Sequence, residues 1–151
     1  AHINYSSLKL EQSFDSGHWT LQNSIIYQMI DQNDDILNLP QFMSRNTLFF
    51  SERIFRNTLA IQTGINFKIF SKYYANEYNP LISDFHIQNQ KKIGSFPLFD
   101  FFFNAKIRQT KIFIIAEHIN SSFTGNNFYS TPESVYRDFG VRFGFKWNLF
   151  N

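Results

Sequence analysis

Residues 139–149 read Phe-Gly-Val-Arg-Phe-Gly-Phe-Lys-Trp-Asn-Leu, so every odd position is large and apolar and every even one is Gly, Arg, Lys or Asn. This alternation suits a half-buried strand, whose successive side chains point to opposite faces. A helix could gather Arg142 and Lys146 on one stripe at i and i+4. It would also scatter the apolar residues round its circumference, and each interior Gly would cost about 1 kcal/mol relative to Ala. The segment therefore reads as strand. The same period returns at Leu59, Ile61, Thr63, Ile65, Phe67 and Ile69 against Ala60, Gln62, Gly64, Asn66 and Lys68. It returns again at Phe99, Phe101, Phe103, Ala105 and Ile107 against Asp100, Phe102, Asn104, Lys106 and Arg108. A fourth case sets Trp19, Leu21, Ile25, Tyr27 and Met29 against His18, Thr20, Gln22, Ser24 and Gln28. Each run extends for about 9 to 11 residues, the length of a tilted strand crossing a bilayer.

Three weaker strands, 1–14, 42–55 and 111–119, follow from their position between turns. In 42–55 the phase is unreadable, because Leu48, Phe50 and Ile54 share a face with Glu52 while Phe49 and Phe55 share the other with Arg53. In 111–119, Ile112, Ile114 and Ala116 face one way, and Lys111, Phe113, Ile115 and Glu117 the other. The connections are more informative. Short ones fall at Asp15-Ser16-Gly17, Arg56-Asn57-Thr58 and Arg108-Gln109-Thr110, and long ones at Asp31–Gln41, Ser71–Phe96 and Asn120–Val135. Strict alternation of short and long connections predicts an antiparallel meander with one smooth rim and one elaborated rim, the pattern of outer-membrane barrels.

Composition decides what such a sheet cannot be. Mean hydropathy is −0.30, and no stretch approaches the roughly 18 consecutive apolar residues of a membrane helix. A net charge of +2 with no basic run argues against nucleic acid as a partner. The absence of Cys removes disulfide frameworks and thiolate chemistry. Many of the twenty Phe, such as Phe67, Phe99, Phe101, Phe103, Phe139, Phe143 and Phe145, fall on one face of the expected strands, either around a ligand, as in a soluble lipid-binding barrel, or against lipid, while Phe102 and the Phe49-Phe50 pair do not follow that face. Lipid is favoured. The opposite face carries Lys68, Asp100, Lys106, Arg142 and Lys146, which suits a water-filled lumen, with Arg108 and Glu117 beside them. Trp19 and Trp147 fall at the short-turn rim, and Tyr27, Phe70, Tyr73, Tyr74 and Tyr136 at the long-loop rim, as interfacial aromatic girdles would.

The strands expected are 1–14, 18–30, 42–55, 59–70, 97–107, 111–119 and 136–149, an odd number where bacterial single-chain barrels have an even one. The expectation is that residues 1–151 form a single segment, the C-terminal portion of a longer barrel. The absence of an initiator Met and of a signal peptide agrees with it.

Several stretches carry a resemblance. Leu39-Pro40-Gln41-Phe42-Met43-Ser44-Arg45-Asn46, residues 71–80, Ile93-Gly94-Ser95-Phe96-Pro97-Leu98-Phe99-Asp100 with Asn104–Ile107, Glu117–Asn120 and the closing 139–151 resemble the C-terminal half of the putative porins of Bacteroidota outer membranes. The resemblance implies an all-β, up-and-down transmembrane barrel of the outer membrane, inserted by the barrel-assembly machinery, and carries over no active-site residue. The expected surroundings are outer-membrane lipid, lipopolysaccharide and other outer-membrane proteins, with short turns periplasmic and long loops outside.

Candidate chemistry is sparse. His2, His18, His86 and His118 lack ligand spacing, so no metal or cofactor is expected. Asp31-Gln32-Asn33-Asp34-Asp35 lacks the Gly and bidentate Glu of a calcium loop. His118 with Glu117 and Ser121-Ser122 could suggest a lipid hydrolase, but adjacent strand residues point apart. Tyr73, Tyr74 and Tyr78 with Asn76 and Asn79 resemble a carbohydrate-facing loop as well as an interfacial anchor. The chain reads as a non-enzymatic pore passing small solutes by diffusion, with a weak preference for anions from its inward cations. The alternatives are a non-conducting scaffold barrel within a larger outer-membrane complex, and a soluble lipid-binding barrel.

Overall fold

A computed structural model describes residues 2–124 and 128–148. Seven long strands form one sheet: β1 (Ile3–Ser16), β2 (Trp19–Gln32), β3 (Phe42–Ile54), β4 (Leu59–Phe70), β5 (Leu98–Ile107), β6 (Thr110–Glu117) and β7 (Gly140–Trp147). Each pairs antiparallel with its neighbour in sequence, so the sheet is a meander, and it is not closed: β1 and β7 are its edges. No helix among the described residues is long and apolar enough to cross a membrane.

Several boundaries differ from the sequence reading. The first two strands run to Ser16 and Gln32, because their hairpin turn is only Gly17-His18, with Gly17 at φ +60. A Gly with positive φ in the first central position is what a type II′ hairpin needs. The β3–β4 turn takes Phe55, Arg56 and Asn57 through three left-handed conformations, with Thr58 N–H donating to the Phe55 carbonyl. β6 stops at Glu117, since His118 has φ +53, and β7 begins at Gly140 rather than 136. Arg108, at φ +52, occupies the two-residue β5–β6 turn and so belongs to no strand face. Leu149, Phe150 and Asn151 lie outside the described residues.

Register then settles the faces. The rows Phe14–Leu21–Leu48–Ile65–Phe101–Ala116–Val141 and Leu10–Ile25–Ser44–Ile69 lie on one face, together with Ile112 opposite Phe145 and Ile114 opposite Phe143. The apolar face is open: Phe143 is 83% exposed, Phe145 75% and Leu8 71%. Such a continuous apolar coat would be a severe aggregation hazard in water and is the expected surface of a strand wall in lipid. Gln12, Asn23 and Asn46, side by side across β1–β3, interrupt it, with Asn46 Nδ2 donating to Ser44 Oγ at 2.9 Å. Thr63 on this face turns its hydroxyl onto the Phe102 carbonyl at 3.1 Å, which hides a donor from an apolar surrounding.

The phenylalanines out of phase have a physical reason. Phe49 and Phe102 flank Gly64 on the polar face, and Phe113 lies opposite Gly144. A Cβ on Gly64 would stand 2.6 Å from the Phe49 Cβ, and one on Gly144 2.6 Å from the Phe113 ring. At Gly144 the Phe113 ring covers backbone that glycine leaves bare, the arrangement by which aromatic residues support strand glycines, and at Gly64 the Phe49 Cβ occupies that space.

Candidate functional site

The polar face is the concave one. A hollow of about 430 Å³ is lined by Gln22 of β2, Thr47 and Phe49 of β3, Asn66 and Lys68 of β4, Asp100 of β5 and Arg142 of β7, so the sheet curls this face inward. Lys68, Asp100, Lys106, Arg142 and Lys146 all lie on this face, because their cross-strand partners Leu98, Asn66, Ala60, Ile115 and Lys111 do. Glu117 joins them opposite Gly140. Neutral polar side chains fill the wall between, with Thr47 Oγ1 donating to Asn66 Oδ1 at 2.7 Å and Asn104 Nδ2 to Gln62 Oε1 at 3.3 Å.

At the long-loop end Lys68, Asp100, Glu117 and Arg142 are paired, while Arg45, opposite Lys68, has no ion-pair partner among the described residues. Lys68 Nζ lies 2.7 Å from Asp100 Oδ2, and Asp100 Oδ1 accepts the His118 N–H at 3.0 Å. Asp100 is 9% exposed, and two charge-assisted bonds compensate its burial. Glu117 takes Arg137 at 3.1 Å and also Arg142. Above these pairs the loops carry a small core of Phe96, Leu98 and Phe128, with Phe70 and Tyr136 packed against it. Phe70 and Leu98 belong to the polar face by register, opposite Met43 and Lys68, so the loops fold over the mouth of the hollow. Lys91 ties the second and third long loops together: its ammonium donates to the Pro132 carbonyl and sits 4.2 Å from the Tyr129 ring centroid.

His118 closes this core at 1% exposure. Its Nδ1 donates to the Arg137 carbonyl at 2.7 Å, while the Phe128 and Tyr136 rings stand at 4.6 and 5.5 Å. Among the described residues its Nε2 has no hydrogen-bond partner and Glu117 is engaged by arginines, so these residues form no triad with Ser121, whose backbone N–H donates to the His118 carbonyl. Among the described residues no group of three or more His, Asp or Glu is placed to hold a metal ion.

The aromatic residues divide by position. Trp19 opens β2 and Trp147 ends β7, both on the apolar face at the short-turn rim, and Tyr27 lies on that face opposite Phe42 at the other end. Tyr73 and Tyr74 form a two-residue ladder with Lys92–Ile93, with Tyr74 4.8 Å beneath the Lys92 ammonium. Burial raises the Tyr73 pKa above its usual 10.0. Tyr136 was expected to begin a strand at the girdle. It instead lies before β7, packed on the loop core, because the Phe96 and Phe128 rings give it a buried contact there.

The sequence reading missed one feature. Arg53, Ala60, Lys106, Lys111 and Lys146 form one unbroken row across β3–β7 at the short-turn end. Lys106 and Lys146 were recognised singly. Arg53 was hidden by the unreadable phase of its strand, and the adjacency depends on register, which the two-residue Arg108-Gln109 turn sets for Lys106 and Lys111 and pairing across a long loop sets for Lys111 and Lys146.

A curled antiparallel meander, apolar outside and charged within, with tight turns at one end and folded loops at the other, is the wall of a transmembrane β-barrel. The chain belongs to the family described as Putative porin, whose model matches residues 1–151. That membership assigns it to the outer membrane in a porin-like role and points to a non-enzymatic protein. No curated protein and no solved structure matches it.

Proposed function

We propose that the protein lines a water-filled pore through which small solutes diffuse, with a weak preference for anions. The observation that carries this reading is the charge of the concave face. Lys9, Arg45, Arg53, Lys68, Lys106, Lys111, Arg142 and Lys146 outnumber Glu11, Asp15, Asp100 and Glu117 there. A wall of one predominant sign biases the ions it admits. In this reading the short turns face the periplasm, the long loops face outward, and lipid with lipopolysaccharide covers the apolar face after insertion by the barrel-assembly machinery. Reversal potentials across a KCl gradient in planar bilayers test it: the expected sign is that of chloride preference, and potassium preference overturns it.

One observation favours a second reading, a scaffold barrel that does not conduct and serves as a subunit of a larger outer-membrane complex. The Phe96–Leu98–Phe128 core lies over the mouth of the concave face and narrows it. Liposome swelling separates the two, since a pore admits sugars and a plugged scaffold does not.

A further inference from the structure

The row at the short-turn end cannot be explained by stability. Lys106 stands directly opposite Lys111, and Lys111 directly opposite Lys146, three ammonium groups on three consecutive strands. Like charges directly opposite each other destabilise a sheet. Among the described residues none of Arg53, Lys106, Lys111 and Lys146 has an ion-pair partner, whereas Lys9, Lys68 and Arg142 on the same face each have one. The adjoining row, Ser51, Gln62, Asn104, Phe113 and Gly144, carries no charge. All four cations line a single concavity of about 750 Å³ that also takes in Ser51, Gln62 and Asn104. One acid, Glu52, lines it too, together with Ile61, Ala105 and Ile112, all four assigned by register to the apolar face. Ala60, between Arg53 and Lys106, leaves room for a ligand to approach the wall.

We propose that Arg53, Lys106, Lys111 and Lys146 form a binding site for a soluble polyanion of phosphate chemistry. The proposal rests on the pore reading and names the class of solute that the pore handles. Strands lie about 4.8 Å apart, so Lys106 to Lys146 spans about 10 Å along the wall and Arg53 extends the row to about 19 Å. A single phosphate meets two of these groups, and only an anion with several charged centres meets them all. The lysines supply mobile point charges, and Arg53 supplies a planar fork suited to two phosphate oxygens. The neutral amides of Gln62 and Asn104 provide further hydrogen bonds without cancelling the field. An anionic lipid headgroup shares this chemistry, but the row lies on the face opposite the apolar coat, which favours a solute in the lumen.

The test is titration of the detergent-folded protein with inorganic tripolyphosphate by calorimetry, alongside block of chloride current by the same anion. Binding is expected, and raising ionic strength from about 0.01 M to 0.15 M should weaken it by about tenfold or more, as the Debye length falls from about 30 to 8 Å. The K106Q/K111Q/K146Q variant should lose at least about tenfold in affinity, and Lys111→Gln alone about threefold. Arg45→Gln removes another cation of the same face that has no ion pair among the described residues, three rows away from the amides, and should change affinity by less than about twofold. Wild-type affinity in the triple variant overturns the site, as does an Arg45→Gln loss equal to that of Lys111→Gln, which would indicate net charge alone. Displacement of tripolyphosphate by phosphatidylglycerol and not by phosphatidylcholine in mixed micelles overturns a soluble occupant. Binding without any conductance would sink the pore reading and leave the site standing. Chloride-selective conductance without tripolyphosphate binding would do the reverse.

Discussion

The two ends of the concave face use the same kinds of side chain for opposite ends. At the long-loop end, Lys68, Arg137 and Arg142 are each met by an acid, Asp100 is nearly buried beneath the loops, and a phenylalanine core fixes those loops in place. At the short-turn end, Arg53, Lys106, Lys111 and Lys146 line a concavity and, among the described residues, none of them forms an ion pair. A paired charge holds structure, because its field is spent on its partner. An unpaired one projects its field into the space it faces, and in a narrow low-dielectric cleft that field acts on solutes. The difference separates the part of the wall that maintains the fold from the part that meets a ligand.

That comparison can be broken at either end. The largest effect is expected at the loop core. Phe128→Ala removes a ring buried against Phe96 and His118 and should cost about 3–5 kcal/mol of loop stability. Amide hydrogen exchange at residues 92–98 and 128–136 is the measurement, and unchanged protection would show that the core does not hold the loops. Next comes the Asp100 pair. Asp100→Leu leaves Lys68 and the His118 N–H without their acceptor, and a loss of about 2–4 kcal/mol is expected in urea unfolding from lipid vesicles. Glycine supports the middle of the wall: Gly64→Ala places its Cβ 2.3 Å from the Leu48 carbonyl oxygen, whereas Gly144→Ala meets only the movable Phe113 ring. The first should cost about 1–3 kcal/mol and the second less, compared by the same unfolding curves.

Smaller effects sharpen the other side. Lys111→Gln should not destabilise the sheet and should gain a few tenths of a kcal/mol, since it relieves repulsion from two neighbours. A clear loss in its unfolding midpoint would show that the row serves the fold after all. The smallest effect is that of Tyr73, whose hydroxyl keeps its proton above pH 10.0 when folded because burial disfavours the phenolate. Above pH 10.0 the folded chain then binds more protons than the unfolded one, so stability falls as pH rises through that range. Ultraviolet titration in wild type and Tyr73→Phe checks this, and a Tyr73 transition at or below 10.0 contradicts it.

Much of the wall was legible in the residues themselves. Leu59 to Ile69, Phe99 to Ile107 and Phe139 to Trp147 announce their faces by alternation, and Lys68, Asp100, Lys106, Arg142 and Lys146 lie together on one side as that alternation requires. Where alternation fails, so does the reading. Phe49 and Phe50 form one apolar pair in sequence, yet Phe50 packs beside Trp19 on the apolar face and Phe49 lies over Gly64 on the other. Phe102 stands opposite the same glycine from the other side. Tyr136 belongs to the loop core because rings from distant segments, Phe96 and Phe128, converge there.

The sequence by itself determined the strands, their order between short and long connections, and the face to which most side chains belong, because a two-residue period is a property of one segment of chain. Tertiary structure alone decided which residues stand side by side. Register is a relation between strands, and a slip of two residues in the last of them would keep every face and yet separate Lys111 from Lys146. The basic row, the ring laid over Gly144, and the loops folded across the mouth all arise at that level. They depend on pairing and packing between segments that no single stretch of sequence contains.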